Sequence, residues 1–238
     1  VAKSGYGSVS VGTGKSPAPN YFGSAGFLKV TPSSGSCTSS GDATCTITEC
    51  PMTGAAGAAG APTYPTAGAI QITGGADPLS LSPNATGAYT AATGTKLLFQ
   101  GGETLSISAK GADVPAFNGS IVAPSVVDLL TPTVPAVGQP LSVDGSKAFP
   151  LTWSAGTTGK VTFTINAYTA NPYVIVSCAF PASAGSGEIP AATMAKLPKG
   201  MASWAAQNLA QSTVAASADW DVQLIATAQL GSGLATVK

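Results

Sequence analysis

Apolar and polar residues alternate along much of the chain, which is the pattern of half-buried β-strands rather than of helices. The clearest example is the segment 160–180, KVTFTINAYTANPYVIVSCAF. Its first half places Val161, Phe163, Ile165 and Ala167 on one face. Its second half does the same with Val174, Val176, Cys178 and Phe180. Because the intervening 170–172, Ala-Asn-Pro, has turn chemistry, the segment is predicted to form an antiparallel β-hairpin.

Similar short segments recur elsewhere, separated by turns rich in Gly, Pro and Ser. The predicted strands are 6–11, 27–30, 69–73, 96–99, 103–109, 126–130, 141–143, 151–153 and 221–228. One short helix is predicted over 189–198, where Pro stands near each end of an Ala-rich stretch. The stretch 201–215 fits either a helix or a strand, since Ala and Gln favour helix and its apolar pattern is thin. This spacing predicts a mainly β protein with two antiparallel β-sandwich modules, Ig-like or jelly-roll-like, and one short helix.

Composition shifts divide the chain into three predicted regions. Residues 1–62 form an N-terminal strand and loop region that ends in a Gly/Ala-rich linker over 54–62. A first β-sandwich module covers 63–132 and a second covers 133–238. The boundary is placed at the Pro-spaced segment 131–135, which is extended and unsuited to a central strand.

Charged residues make up only 8% of the chain, compared with about 25% in typical globular proteins. All ten basic residues are lysines, and there is no histidine. Without arginine forks or a basic cluster, nucleic-acid binding is not expected. The absence of histidine excludes a Ser-His-Asp triad and removes the commonest transition-metal ligand.

The sequence also lacks a run of 18 apolar residues, so no membrane-spanning segment is predicted. The start at Val1 shows neither the charged nor the apolar region of a signal peptide, which suggests a mature or trimmed form.

Four cysteines in a chain with so few charges suit an oxidising, extracytoplasmic compartment and two disulfides, with four free thiols as the alternative. Three of them lie in fourteen residues, CTSSGDATCTITEC. Four cysteines permit three pairings, and the sequence does not choose between them. Our preferred pairing joins Cys37 to Cys45 as a local loop and Cys50 to Cys178 as a long-range link. The spacing does not match paired zinc knuckles, and no cofactor is predicted.

Acidic residues give only weak functional candidates. Asp219 and Asp221 share one face of a predicted strand, and Asp144 lies in a turn, so they are candidate calcium ligands. Polar residues are also common at strand edges and in turns, and this explains the three aspartates equally well without a bound ion. A hydrolase would need two convergent carboxyls, and no local pair is evident. Since nucleophile-elbow and S-x-x-K motifs are absent as well, we expect the protein not to be an enzyme.

Exposed aromatic rings are the best candidate binding groups. Tyr168 and Tyr173 both fall on the hairpin face opposite its apolar stripe, where they would either contact a ligand such as a sugar or pair across the strands. Trp153 is predicted to be a core residue, because it ends a strand flanked by apolar residues, as sandwich tryptophans do.

Four segments together resemble a known group: ITGGADPLSLSPNATGAY, FQGGETLSISAKGADVPAF, LTWSAG and SCAFPASAGSGEIPAATMAKLP. They are similar to an uncharacterised β-sandwich family of secreted proteins and lipoproteins from myxobacteria and their relatives. The resemblance covers about residues 66–228 and implies an extracellular or outer cell-envelope location, often with lipidation upstream of residue 1. It also favours a strand for 201–215. It implies no catalytic residues.

These observations predict a non-catalytic structural or binding protein of the cell surface. Its expected partners are itself, another surface protein or a glycan. Self-assembly through strand edges is included, because so few charges protect those edges. The alternative is a carbohydrate-binding accessory module that uses exposed aromatics, and the third hypothesis is a hydrolase with a carboxylate pair.

Overall fold

The computed structural model describes residues 5–15, 18–29, 37–51, 64–89, 92–136, 138–169 and 171–238. In chain order its strands are β1 (Gly5–Gly14), β2 (Asn20–Lys29), β3 (Thr38–Gly41), β4 (Cys45–Cys50), β5 (Ile70–Thr73), β6 (Leu79–Leu81), β7 (Ala92–Gly94), β8 (Thr104–Ala109) and β9 (Phe117–Val122). They continue with β10 (Leu129–Thr131), β11 (Leu141–Val143), β12 (Phe149–Trp153), β13 (Lys160–Ala167), β14 (Tyr173–Pro181), β15 (Ser186–Ile189), β16 (Gly200–Ala215) and β17 (Trp220–Val237). One short α-helix, α1 (Ala191–Met194), follows β15. The mainly β, sandwich-like fold class with one short helix is confirmed.

The chain forms two compact units. Unit 1 comprises Val1–Pro32, Ala58–Val126 and Leu209–Gln229, and unit 2 comprises Ser33–Gly57, Val127–Asn208 and Leu230–Lys238. The long strands β16 and β17 contribute residues to both units. This grouping differs from the contiguous regions 1–62, 63–132 and 133–238, because β1 pairs in parallel with β17 near the other end of the chain. The predicted linker over 54–62 lies outside the described residues.

Unit 1 contains two sheets that share one apolar core. The first holds β17, β1, β2 and β7 in that order, and the second has the order β6-β5-β8-β9. β1 is antiparallel to β2. Val9 and Val11 on β1 and Leu224 on β17 are completely buried, as are Leu81 and Leu105 of the second sheet. Alternation on β1, β8 and β17 therefore buries one face of each strand between the sheets, as in a sandwich.

Unit 2 contains the predicted hairpin. β13 and β14 pair antiparallel over eight positions, from Lys160 opposite Pro181 to Ala167 opposite Val174. The apolar stripes of both strands are buried, as predicted. A sheet with the order β10-β12-β15 supplies the other side of the core, where Trp153 lies with its ring centroid 6.1 Å from that of Phe180. The hairpin and the core position of Trp153 are thus confirmed.

Two disulfides are present, but the preferred pairing is wrong. The bonds join Cys37 to Cys50 and Cys45 to Cys178. β3 and β4 form a hairpin in which Thr38 opposes Glu49, so Cys37 comes opposite Cys50. Cys45 lies at the turn end of that hairpin, roughly 15 Å along the strand from Cys37, which is too far for a bond. β4 then pairs with β14, with Cys45 directly opposite Cys178.

The segment 96–99 is not a strand, contrary to the prediction. Leu98 and Phe99 are buried, but the backbone of Leu98 bonds outside any ladder. Its N–H donates to the Thr13 hydroxyl (3.1 Å), and its carbonyl accepts from the N–H of Ala76 (2.7 Å). Apolar character in this segment therefore reflects burial of an irregular loop, whose polar backbone groups are satisfied individually.

Two further boundaries differ from the predictions, and one open assignment is resolved. The helix is limited to Ala191–Met194, because Ile189 belongs to β15 and pairs with Phe149. The strand expected over 126–130 is β10, which begins at Leu129 and pairs with β12 in unit 2. The ambiguous stretch 201–215 is strand β16, as the family resemblance implied.

Candidate functional site

The two tyrosines predicted as binding groups flank the loop of the β13–β14 hairpin in unit 2. Tyr168 follows the last residue of β13 and is 40% exposed, whereas Tyr173 begins β14 and is partly buried. Tyr173 lies opposite Cys50 on β4. In the same loop the Thr169 hydroxyl donates to the carbonyl of Met201 (3.2 Å). The structure thus places one exposed and one half-covered ring at this end of the unit.

The tryptophans are not available as a surface platform. Trp153, Trp204 and Trp220 are only 2%, 3% and 5% exposed. The indole N–H of Trp153 donates to the carbonyl of Ala182 (2.9 Å), which fixes that ring in the core of unit 2. The ring of Trp204 stacks on Phe163 with the centroids 5.6 Å apart. Aromatic recognition at the surface therefore falls to tyrosines.

The predicted acidic candidates are dispersed in the described parts of the chain. Asp219 and Asp221 lie at the start of β17, and in those parts no group of three or more Asp, Glu, Cys or His residues could hold a metal ion. Asp144 instead closes its own turn. Its carboxylate accepts from the Ser146 hydroxyl (2.6 Å) and N–H (3.0 Å) and pairs with Lys147 (3.2 Å). These bonds, the hydroxyl first, lower the pKa of Asp144 to about 2.

Two other carboxylates cap loops in the same way. The Asp42 carboxylate accepts the backbone N–H groups of Cys45 and Thr44, both at 2.7 Å, and these bonds lower its pKa. Burial acts to raise the pKa of Glu103, but backbone N–H donors, including that of Gln100, outweigh it and lower the value. A general acid in glycoside cleavage needs the opposite shift, a raised carboxyl pKa. The carboxyls with resolved shifts therefore act as turn acceptors.

The structure reveals a surface groove in unit 1 that the sequence did not predict. It has a volume of about 470 Å³ and lies over β1, β2 and β17. Its lining residues are Tyr6, Gly7, Ser8, Gly26, Phe27, Leu28, Tyr64 and Gln223. None of these described lining residues is charged. Three large side chains at the groove are unusually exposed for their type: Leu28 at 58%, Tyr6 at 51% and Tyr64 at 38%.

Strand register explains how the groove is assembled. Tyr6 on β1 lies opposite Leu28 on β2, and two residues further along Ser8 lies opposite Gly26. On the other side of β1, Ser8 lies opposite Gln223 of β17. Successive residues of a strand point to opposite faces, so these side chains share the face that points away from the core. Gly26 leaves a gap in this face, because no atom of the described residues lies within 4 Å of where its Cβ would be.

Tyr64 reaches the groove from a separate, tightly bonded turn. Its N–H donates to the carbonyl of Thr86 (3.0 Å). The Asn84 side-chain oxygen accepts from the N–H groups of Thr86 (2.9 Å) and Ala88 (3.0 Å). Gly87 has a φ of +84°, which favours glycine, and a Cβ there would strike the Tyr64 carbonyl. This turn therefore holds Tyr64 in place.

Sequence periodicity predicted the strand that carries Tyr6 but not the groove. The neighbours of Tyr6 come from residues 26–28, 64 and 223, and only long-range pairing brings them together. The alternation of Tyr6, Ser8 and Ser10 with Gly7, Val9 and Val11 in the sequence was the available signal. Such alternation indicates which face of the strand a side chain occupies. It does not indicate which residues of other strands lie beside that side chain.

A second notable surface is the free edge of β9. Each of its six residues pairs with β8 on one side. In the sheet order of the described residues, β9 is the end strand. It contains neither a charge nor a proline, and Asn118, Ser120 and Val122 on its outer face are exposed. Edges of this kind are competent to pair with another strand.

Comparisons with known proteins give little guidance. No protein-family model matches the chain, and no curated protein matches it. A solved structure described as concerning host cell surface retention of a 1.5-MDa bacterial ice-binding adhesin is similar over 100% of this chain and 66% of that chain. The sequence identity is 8% and the TM-score is 0.22. A likeness this low carries no argument about function.

Within the described ranges, moreover, no helix has the length and apolar character needed to cross a membrane.

Proposed function

We propose that this chain is a non-catalytic structural or binding protein of the cell surface or extracellular space that self-associates through β-strand edges. The observation that carries the proposal is the unprotected edge of β9. Natural sheets usually guard such edges with charges, prolines or bulges. The two disulfides support an extracytoplasmic location, since such bonds persist in oxidising compartments.

Pairing of β9 with the same strand of a second copy joins two four-stranded sheets into one. Main-chain hydrogen bonds supply the affinity in this mode of recognition. The polar face of the sheet places no charge at this edge: Asn118 and Ser120 on β9 lie opposite Ser108 and Ser106 on β8. Antiparallel pairing of identical strands gives a two-fold dimer. A longer assembly would need a second edge, for which exposed β3 is the candidate.

Light scattering after size-exclusion chromatography, over a range of protein concentrations, tests the proposal. The double variant Asn118→Lys/Ser120→Lys places two charges on the edge strand. The matched control Ser106→Lys/Ser108→Lys places the same charges on the same face of the adjacent inner strand. We expect the edge variant to weaken association at least tenfold and the control to associate like the wild type. A wild-type protein that stays monomeric at high concentration would rule the proposal out.

The second candidate function is that of a carbohydrate-binding accessory module. The observation that favours it is the exposure of tyrosine rings on an almost uncharged surface. At the predicted position, Tyr168→Ala and Tyr173→Ala would abolish binding on a glycan array if the hairpin end were the site. Unchanged binding in both variants would exclude that position.

A further inference from the structure

We propose that the groove formed by Tyr6, Leu28 and Tyr64 is a binding site for a short neutral saccharide. This inference is independent of strand-edge association, because the groove lies on the β1–β2–β17 sheet and not on β9. Its volume of about 470 Å³ lies within the roughly 300 to 1,000 Å³ of small-molecule sites.

The chemistry of the lining determines the ligand class. Tyrosine presents a flat apolar ring together with a hydroxyl group, so it can contact a ligand that is apolar on its faces and polar at its edges. Sugar rings have this character, with C–H groups on their faces and hydroxyls around them. The Ser8 hydroxyl and the Gln223 amide supply donors and acceptors on the same surface.

The absence of charge among the described lining residues argues for a neutral ligand. An anion would meet no ammonium or guanidinium group from the described residues that line the groove. A cation would find no carboxylate among the same described residues. A neutral saccharide needs neither kind of partner, because the aromatic faces and hydrogen-bonding groups are sufficient.

The exposure of the lining is also informative. Tyr6 and Leu28 are each more than half exposed, and burying apolar surface of this kind on binding is favourable by about 25 cal/mol per Å². On β2, Ser24, Gly26 and Leu28 occupy successive positions of the outward face. Gly26 has no side chain, so this face is interrupted between Ser24 and Leu28. The gap leaves the backbone open to a ligand. A flat ring can therefore approach the sheet here more closely than at any position with a side chain.

Gly26 provides a variant that fills the groove without removing a contact. A Cβ at this position meets nothing within 4 Å, and its backbone is outside the left-handed region that favours glycine. Gly26→Leu should therefore fold normally and block the floor of the groove. Tyr6→Ala and Tyr64→Ala remove the two rings. Leu130→Ala is the control, because it removes a large apolar side chain that is 59% exposed on β10 of unit 2.

The full chain would be titrated with cellotetraose, maltotetraose, xylotetraose, mannotetraose and chitotetraose, and binding followed by calorimetry and NMR. We expect at least one saccharide to bind. Gly26→Leu, Tyr6→Ala and Tyr64→Ala should each weaken it at least tenfold, and Leu130→Ala should leave it unchanged. Circular dichroism and thermal unfolding would establish that the variants are folded.

Three outcomes would overturn the proposal. They are the absence of binding by all five saccharides at millimolar concentration, undiminished binding by folded Gly26→Leu, and loss of binding in the hairpin-end variant Tyr168→Ala with none in the groove variants.

Discussion

Replacing Cys45 and Cys178 with alanine opens the longer of the two disulfide loops, and it should destabilise unit 2 more than replacing Cys37 and Cys50. The sequence separations are 133 and 13 residues. In the chain-entropy model these loops contribute about 5 and about 3 kcal/mol, respectively, by restricting the unfolded chain. The expected difference is therefore about 2 kcal/mol. Alanine is the appropriate replacement, because Cys45 and Cys178 are buried and a serine hydroxyl would be left without a partner.

Equilibrium urea unfolding of the two double variants measures this difference. Tryptophan fluorescence reports mainly on unit 2, which contains Trp153 and Trp204. Hydrogen exchange resolved by peptide should locate the larger loss of protection in β4 and β14. A loss of about 5 kcal/mol would leave unit 2 marginal, since domains are stable by only about 5 to 15 kcal/mol. Equal destabilisation by the two double variants would refute the chain-entropy reasoning, and peptide mapping that found other pairings would refute its premise.

Two further predictions concern single residues. Trp153→Phe loses the buried hydrogen bond to Ala182, whereas Trp204→Phe removes an indole N–H that has no acceptor in the described parts of the chain. Urea unfolding should show Trp153→Phe to be the more destabilising by about 1 kcal/mol; equal costs would contradict this. Ser146→Ala removes the hydroxyl that contributes most to lowering the pKa of Asp144, so the pKa should rise from about 2 towards 3.8 in an NMR titration. Because the folded-state pKa is depressed, this carboxylate stabilises the fold above about pH 4, and the contribution is lost as pH falls towards 2. An unchanged pKa in Ser146→Ala would show that other donors dominate.

Local pattern was sufficient to predict the parts of the fold that are local. The β13–β14 hairpin follows from two alternating segments and the turn between them, and its register matches the predicted faces. The inward face of β17 follows in the same way from the alternation of Val222, Leu224, Ala226 and Ala228 within the predicted strand 221–228, and all four are completely buried. When a strand buries one face through a single alternating run, its own residues are sufficient to predict which side chains are buried.

Long-range pairing explains what the sequence did not predict. The disulfide pairing depends on the register of β4 against both β3 and β14, and no local signal sets that register. The units mix distant segments because β1 pairs with β17 rather than only with its neighbours in sequence. The groove shares this origin, since Tyr6 and Gln223 meet through the same parallel pairing.

Low charge underlies both proposed interactions of unit 1, and the variants can separate them. Lysines at positions 118 and 120 should weaken edge association at least tenfold and leave saccharide binding intact, because Asn118 and Ser120 are not among the described residues that line the groove. Gly26→Leu should block saccharide binding and leave association intact, because Gly26 is on β2 and not on β9. If Gly26→Leu instead abolished association, the groove would be the surface between copies. The tyrosines would then bind protein rather than sugar.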